Sequence, residues 1–189
     1  MLKRYALMAA LLLVLAPVSA RADWLFTPNI GTTFKGSTNG NEHFTYGASI
    51  GWMGAGIVGW EADFQYTPEF FEPNDGDFDL IDSSNVVSVM GNVLVGIPVG
   101  GQKGPGIRPF FTGGIGLLRS SVQSNSDLFS VDSNDWGFNL GVGAMGFATD
   151  HVGFRGDVRY VRSFQDLEEN LDAGSFNFWR ANAGVTFRW

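Results

Sequence analysis

The last eight residues of the chain, 182–189, alternate between polar or small and apolar side chains up to the carboxyl terminus. In a β-strand, alternate side chains share one face. Val185, Phe187 and Trp189 therefore form an apolar face that ends in an aromatic pair, with Thr186 and Arg188 on the opposite, polar face. The pattern predicts a terminal strand with one face in apolar surroundings. The alternative is an ordinary strand that ends the sheet of a soluble protein.

The amino terminus carries an export signal. Two basic residues precede the apolar run 6–18, and a small-residue cleavage site ends at Ala22. A membrane-spanning helix needs roughly 20 apolar residues, whereas this run is shorter and is broken by Pro17. We therefore predict a signal peptide over 1–22 and an exported domain over 23–189. If that domain enters a membrane, a closed barrel is the remaining structure that satisfies every backbone group in lipid.

Composition narrows the function classes. The absence of cysteine excludes disulfides, thiolate nucleophiles and Cys-bound metals. Removal of 1–22 leaves nine basic residues against 19 acidic ones, a net charge of −10, which argues against nucleic acid as a partner. A hydrophobic content of 44% is low for a helical membrane protein and suits strands that alternate between lipid and lumen. No cofactor is expected.

Eight segments of the exported domain alternate with period two, and each is long enough for the roughly 9–11 residues of a membrane-crossing strand. They are 24–34, 44–53, 57–66, 86–97, 107–118, 136–148, 152–164 and 176–189. The connections after the second, fourth and sixth segments are short or glycine-rich, and the others are longer and polar. This pattern predicts an all-β fold, an eight-stranded antiparallel up-and-down transmembrane β-barrel, with the short turns and both termini on the periplasmic side.

The terminal strand resembles the carboxy-terminal signal of bacterial outer-membrane β-barrels: polar, x, Gly, x, x, aromatic, x, aromatic. Asn182, Gly184, Phe187 and Trp189 occupy the specified positions. The resemblance implies that the barrel-assembly machinery recognises this strand. The whole domain is similar to the small eight-stranded barrels of the OmpA transmembrane-domain and OmpX kind. That similarity implies a bacterial outer-membrane location, with membrane lipid and lipopolysaccharide as partners.

Charged residues occur at positions predicted to face the lumen of this barrel. A buried charge must be paired, and acids on one strand with arginines on others would meet that need. The candidates for a lumen charge network are Glu61, Asp63, Arg108, Arg155, Asp157, Arg159 and Arg180. Such a network either plugs the barrel or gates a narrow conduit, and we favour the plug.

Some barrels of this size are lipid A-modifying enzymes that use His, Ser and an acid at the outer rim. Only His43 and His151 are present. His151 falls in a predicted periplasmic turn, and His43 has no serine at strand spacing. We therefore predict no catalytic residues.

The long connections are acidic. They contain 14 of the 19 acidic residues, namely Glu42, Glu69, Glu72, Asp75, Asp77, Asp79, Asp82, Asp127, Asp132, Asp135, Asp166, Glu168, Glu169 and Asp172. The simplest interpretation is a solvated rim beside an anionic lipopolysaccharide layer. The segment 74–79 could instead bind Ca²⁺ through oxygen ligands, but it is not an EF-hand loop, and we predict no metal site.

Arg119 and Arg162 alternate in step with the residues of their segments that are predicted to face the lipid. Both lie near the segment ends that adjoin long loops. An arginine is tolerated in a barrel at the membrane interface but not at the midplane. Both are therefore candidates for lipopolysaccharide contacts, unless the register is off by one residue and they face the lumen.

These patterns predict an outer-membrane barrel with an envelope-structural role, or an adhesion or binding role through its acidic extracellular loops and a ligand outside the cell. The alternative is a narrow, low-conductance, porin-like channel. A third hypothesis is a lipid A-modifying enzyme.

Overall fold

The computed structural model describes residues 22–38, 42–70, 81–100, 104–124, 130–164 and 176–189. Eight antiparallel strands form one closed barrel in which each strand pairs with its sequence neighbours and β1 pairs with β8. The strands are β1 Ala22–Phe34, β2 His43–Gly54, β3 Val58–Pro68, β4 Ile81–Gly96, β5 Gly106–Ser124, β6 Ser130–Phe147, β7 Val152–Ser163 and β8 Asn177–Arg188, and a short 3-10 helix, Gly36–Thr38, follows β1. The predicted fold is confirmed.

The two ends of the barrel differ. The turns after β2, β4 and β6 lie at one end, called here the short-turn end, and the other connections lie at the long-loop end. Strands β4, β5 and β6 have 16, 19 and 18 residues, whereas the other five have 11 to 13. Three acidic residues that were predicted to lie in loops are therefore within strands: Asp82 in β4, and Asp132 and Asp135 in β6. That part of the prediction was wrong because polar side chains do not prevent a ladder from extending beyond the apolar segment.

The outer surface of the barrel is apolar and carries aromatic side chains at two levels. Near the short-turn end, the rings of Trp24 and Trp60 are 5.7 Å apart. Near the long-loop end, Tyr160 and Trp179 are separated by 5.4 Å. Aromatic belts of this kind mark the two membrane interfaces of a transmembrane barrel. No helix among the described residues is long and apolar enough to cross a membrane.

The seam between β1 and β8 closes the barrel. Trp24 and Trp189 exchange both backbone hydrogen bonds, with N–O distances of 3.0 and 3.2 Å. Because hydrogen-bonded pairs alternate along an antiparallel ladder, Pro28 opposite Val185 falls at a hydrogen-bonded position. Proline has no amide hydrogen, and the ladder is unpaired at this point before it resumes at Asn29 and Gly184.

Candidate functional site

The charged residues inside the barrel come mainly from strands on opposite walls. In a ring of eight strands, β3 and β7 are diametrically opposed. Alternation turns Glu61 and Asp63 of β3 inward, and it does the same for Arg155, Asp157 and Arg159 of β7. All five residues are buried, so acids and arginines meet across the lumen.

Six side chains form a continuous set of ion pairs, called here the central network: Glu61, Asp63, Arg155, Asp157, Arg159 and Arg180. Arg159 is its hub. Its Nη2 lies 2.9 Å from Glu61 Oε1, its Nε lies 2.8 Å from Asp157 Oδ1, and its Nη1 lies 3.5 Å from Asp63 Oδ2.

The other two arginines of the central network complete the pairing. Arg155 pairs through Nη1 with Glu61, and its Nε lies 3.0 Å from Asp157 Oδ2. Arg180 Nη2 lies 2.6 Å from Asp63 Oδ2. Three carboxylates therefore face three guanidinium groups, and their formal charges sum to zero.

Neutral side chains extend the network to neighbouring strands. Gln65 Nε2 donates to Asp63 Oδ1 at 3.0 Å and to Asn29 Oδ1 at 2.9 Å. Asn92 Nδ2 donates to Glu61 Oε1 at 3.3 Å, and Asn139 Nδ2 donates to Asn92 Oδ1 at 2.6 Å. These amides link β1, β4 and β6 to the ion pairs.

Apolar layers lie on both sides of the central network. The short-turn layer consists of Leu25, Met53, Leu94, Phe110, Met145 and Phe147. The long-loop layer consists of Phe70, Val86, Met90, Leu118, Val161 and Phe178, with Phe176 packed against it. The space bounded by network and wall residues such as Asn29, Ser49, Asp63 and Arg159 is too small for a water molecule. The lumen is therefore packed at this level.

Phe70 of the long-loop layer comes from outside the strands. It follows β3 in a turn where Glu69 has a φ of 53°, and it is 1% exposed. Its ring stacks on His43 at 5.6 Å and contacts Phe176 at 5.6 Å and Phe178 at 5.3 Å. The inward position of Phe70 was not predicted, because a phenylalanine in a loop belongs to no periodic pattern that could indicate its direction.

Arg108 is buried in the lumen as the sequence predicted, but it lies apart from the central network. Its Nη2 is 3.7 Å from Asp23 Oδ2 near the short-turn end. Arg188 Nη1 lies 3.9 Å from the same oxygen, and both guanidinium groups lie over the ring of Phe147. The seven predicted charges thus divide into the central network and a separate group around Asp23.

The four residues of the terminal-strand pattern divide between the two faces of β8. Asn182 and Gly184 have inward positions, whereas Phe187 and Trp189 are 41% and 60% exposed on the outer wall. A Cβ atom at position 184 would collide with the carbonyl oxygen of Pro28 on β1, so glycine is required for close approach at the closing seam.

Arg119 and Arg162 both have the outward register that the sequence predicted. Arg119 is exposed on β5, and Arg162 is half-buried on β7 beside Phe138 of β6 and Asn177 of β8. The Nε atom of Arg162 is buried without a hydrogen-bond partner. The two arginines thus lie on the outer wall, and Arg119 also interacts with another residue of the chain.

The two histidines lie at opposite ends of the barrel. His43 is buried against Phe70, and His151 is exposed in the turn between β6 and β7. Within the described ranges, no group of three or more His, Cys, Asp or Glu side chains could hold a metal ion. The segment 74–79, considered above for Ca²⁺, lies outside the described residues.

The chain resembles known outer-membrane proteins in sequence and in fold. It is 27% identical over 172 residues to the "22 kDa outer membrane protein" of Rhizobium leguminosarum bv. viciae, covering 86% of this chain and 74% of that protein. The crystal structure of Neisserial surface protein A superimposes with a TM-score of 0.64 at 14% identity, covering 89% of this chain and 99% of that one. Ail, the attachment invasion locus protein of Yersinia pestis, gives 0.55 at 14% identity, covering 90% and 99%.

The family assignment rests on a match that spans nearly the whole sequence. The model of the outer membrane protein beta-barrel domain matches residues 6–187. This match agrees with the closed eight-stranded barrel and its apolar outer wall. The chain is a member of the outer membrane protein beta-barrel domain family.

Proposed function

We propose that this protein is a non-conducting outer-membrane barrel that contributes to envelope structure and presents acidic loops for binding at the cell surface. The observation that carries the proposal is the packed lumen, in which the central network lies between two apolar layers. Eight strands enclose an interior that side chains can fill, and the described side chains fill it at the level of the central network.

Passage of a solute would require the central network to separate. Breaking a buried ion pair leaves an uncompensated charge at a cost of about 3–5 kcal/mol, and Arg159 alone has three acidic partners. The six charges sum to zero, so the network also offers no net attraction to a permeating ion. Both points support a structural plug over a conduit.

The position of His43 supports a non-enzymatic role. A lipid-modifying site needs its catalytic groups at the lipid-facing rim, whereas His43 points inward and is 7% exposed. His151 lies at the short-turn end, which we place on the periplasmic side, away from a substrate in the outer leaflet.

The loops are the proposed binding surface because most acidic residues of the chain fall in or beside them. Ail of Yersinia pestis has been crystallised with the heparin analogue sucrose octasulfate. A polyanion of that kind would be repelled by the acidic loops of this chain. We propose instead a cationic partner, such as a basic protein surface, with binding that weakens as salt rises.

The biogenesis we propose follows from the two ends of the sequence. Residues 1–22 direct export and are removed, and the domain 23–189 inserts with its short-turn end in the periplasm. Asn182, Gly184, Phe187 and Trp189 form the strand that the assembly machinery recognises.

Conductance and surface binding test this proposal. Purified protein in planar bilayers should produce no discrete current steps, while intact cells that display it should bind a cationic protein such as lysozyme. Deletion of residues 165–175 should reduce that binding and leave the bilayer electrically silent. Reproducible conductance of the wild-type barrel would support the narrow-channel alternative, and binding that survives loss of the loop would refute its role as the contact surface.

A further inference from the structure

We propose that Arg162 and the depression below it on the outer wall bind one lipopolysaccharide molecule, with the guanidinium on a phosphate and the depression around an acyl chain. This inference deepens the proposed function and rests on its orientation, in which the long-loop end faces the outer leaflet. The site lies on strands β5 to β8.

Arg162 is prepared for an external anion. It has the outward register of β7, where it lies two residues beyond Tyr160 on the same face. Its Nε atom is buried and has no hydrogen-bond partner among the described residues. Within the described residues no acidic side chain forms an ion pair with it. No acidic partner among the described residues therefore holds this guanidinium group, and arginine can engage phosphate through two parallel hydrogen bonds.

A depression in the outer wall is lined by Tyr160, two residues from Arg162 on the same face of β7. It has a volume of about 580 Å³ and lies on the outer wall. Its lining is almost entirely apolar and includes Phe111, Leu140, Val142, Val158, Tyr160 and Trp179. Tyr160, next to Arg162 on the same strand face, forms part of its edge. A phosphate on Arg162 would therefore place the attached lipid over a depression that accepts a hydrocarbon chain.

The distribution of positive charge favours a lipid of the outer leaflet. On the outward faces of the described strands, arginine occurs at Arg119 and Arg162, and both positions belong to the half nearer the long-loop end. Lipopolysaccharide combines phosphates with several acyl chains and occupies that leaflet. A phospholipid of the inner leaflet would find no arginine on the outward strand positions near the short-turn end.

Arg119 differs from Arg162 although the sequence treats them alike. Arg119 has an interaction partner within the chain, and it lies on β5, beyond the depression. We therefore assign the phosphate contact to Arg162. Arg119 is the matched control for loss of one outward arginine.

The experiment measures lipid binding to refolded protein in a non-ionic detergent by native mass spectrometry. The probes are intact lipopolysaccharide, chemically dephosphorylated lipopolysaccharide and phosphatidylglycerol. The variants are Arg162→Gln, Arg119→Gln, Val158→Trp to fill the depression and Val58→Trp as a control on β3, the strand opposite β7. Val58 is also exposed on the outer wall. Heat-modifiable mobility verifies that each variant folds.

For the wild-type barrel, intact lipopolysaccharide should bind about tenfold more tightly than the dephosphorylated form, as expected for loss of one charge-assisted contact. Arg162→Gln should remove that difference, and Arg119→Gln should preserve it. Val158→Trp should weaken the binding of both forms, whereas Val58→Trp should weaken the binding of neither.

Equal wild-type affinity for the intact and dephosphorylated forms would overturn the proposal, and this comparison needs no variant. Equal affinity for phosphatidylglycerol and lipopolysaccharide would also overturn it, in favour of a general anionic-lipid contact. Neither result bears on conductance or loop binding, so failure here is distinguishable from failure of the proposed function.

Discussion

Trp24 and Trp189 form the last pair of the seam that closes the barrel, and each backbone amide donates to the carbonyl of the other residue. Their side chains are 39% and 60% exposed on the outer wall. The terminal residue thus contributes two backbone hydrogen bonds in addition to its indole ring. In lipid, an unsatisfied backbone group costs several kcal/mol, so this pair contributes strongly to closure.

Deletion of Trp189 should reduce the outer-membrane yield and the heat-modifiable fraction, because β1 loses its terminal partner and the assembly pattern loses its last aromatic residue. The measurement is the amount of folded protein in outer-membrane fractions. Trp179→Ala removes an outward aromatic residue of the same strand without shortening the seam, and it should leave the yield closer to wild type. Wild-type insertion of the truncated chain would contradict a role for the terminal pair.

Arg159→Ala should destabilise the barrel by about 3–5 kcal/mol, since it leaves buried carboxylates without their shared partner. Arg155→Ala should have a similar but smaller effect, because Arg155 pairs with two acids and Arg159 with three. Urea unfolding in lipid vesicles gives the free energies. The exposed Glu42→Ala is the control.

A double-mutant cycle separates ion pairing from packing. Glu61→Gln together with Arg155→Gln should cost less than the sum of the two single changes, because the pair is removed and no lone charge remains. Additive effects would show that these two residues are not coupled, contrary to their contact in the structure.

Phe70→Ala should lower the unfolding free energy by about 3 kcal/mol, as expected for truncation of a buried aromatic residue. It should not create conductance, because the central network and the short-turn layer still close the lumen. Planar bilayer recordings and urea unfolding measure the two effects. Stable current steps from this variant alone would mean that the long-loop layer is the principal barrier.

Pro28→Ala should stabilise the closed barrel by about 1 kcal/mol. The new amide can donate to the Val185 carbonyl, and this gain exceeds the loss of proline's restriction on the unfolded chain. Amide hydrogen exchange at Asn29 and Val185 should slow in the variant. Ala48→Gly, on the neighbouring strand β2, tests whether a small change in the outer wall alone produces the effect.

Alternation predicted most of the fold, since each strand has one face toward lipid and one toward the lumen. Glu61 and Arg155 could be placed inside the barrel from parity alone. Their pairing across the lumen could not be predicted, because it depends on the tilt and stagger that bring β3 and β7 together. For the same reason, parity could not separate Arg108, which pairs with Asp23, from the central network.

Features outside the periodic segments were beyond sequence reasoning. Phe70 enters the long-loop layer from a turn, and no pattern marks its direction. The end of β5 and the beginning of β6 were predicted too short because the residues there are polar, whereas a hydrogen-bond ladder needs only backbone groups to continue. The depression below Arg162 arises from the relative sizes of side chains on several strands, which a single segment does not reveal.

The contacts of Glu61 with Arg155 and Arg159 act as a crossbar between β3 and β7. Along the perpendicular diameter at the same level, β1 and β5 carry Asn29, Gly114 and Gly116 at lumenal positions. The ion pair that joins these two walls, Arg108 with Asp23 at 3.7 Å, lies nearer the short-turn end. At the level of the central network, the cylinder is therefore stiffer along the β3–β7 direction than along the β1–β5 direction. Lateral pressure from the bilayer should make the cross-section elliptical by moving β1 and β5. The bending should therefore be concentrated partly in β1, the strand that contains Pro28.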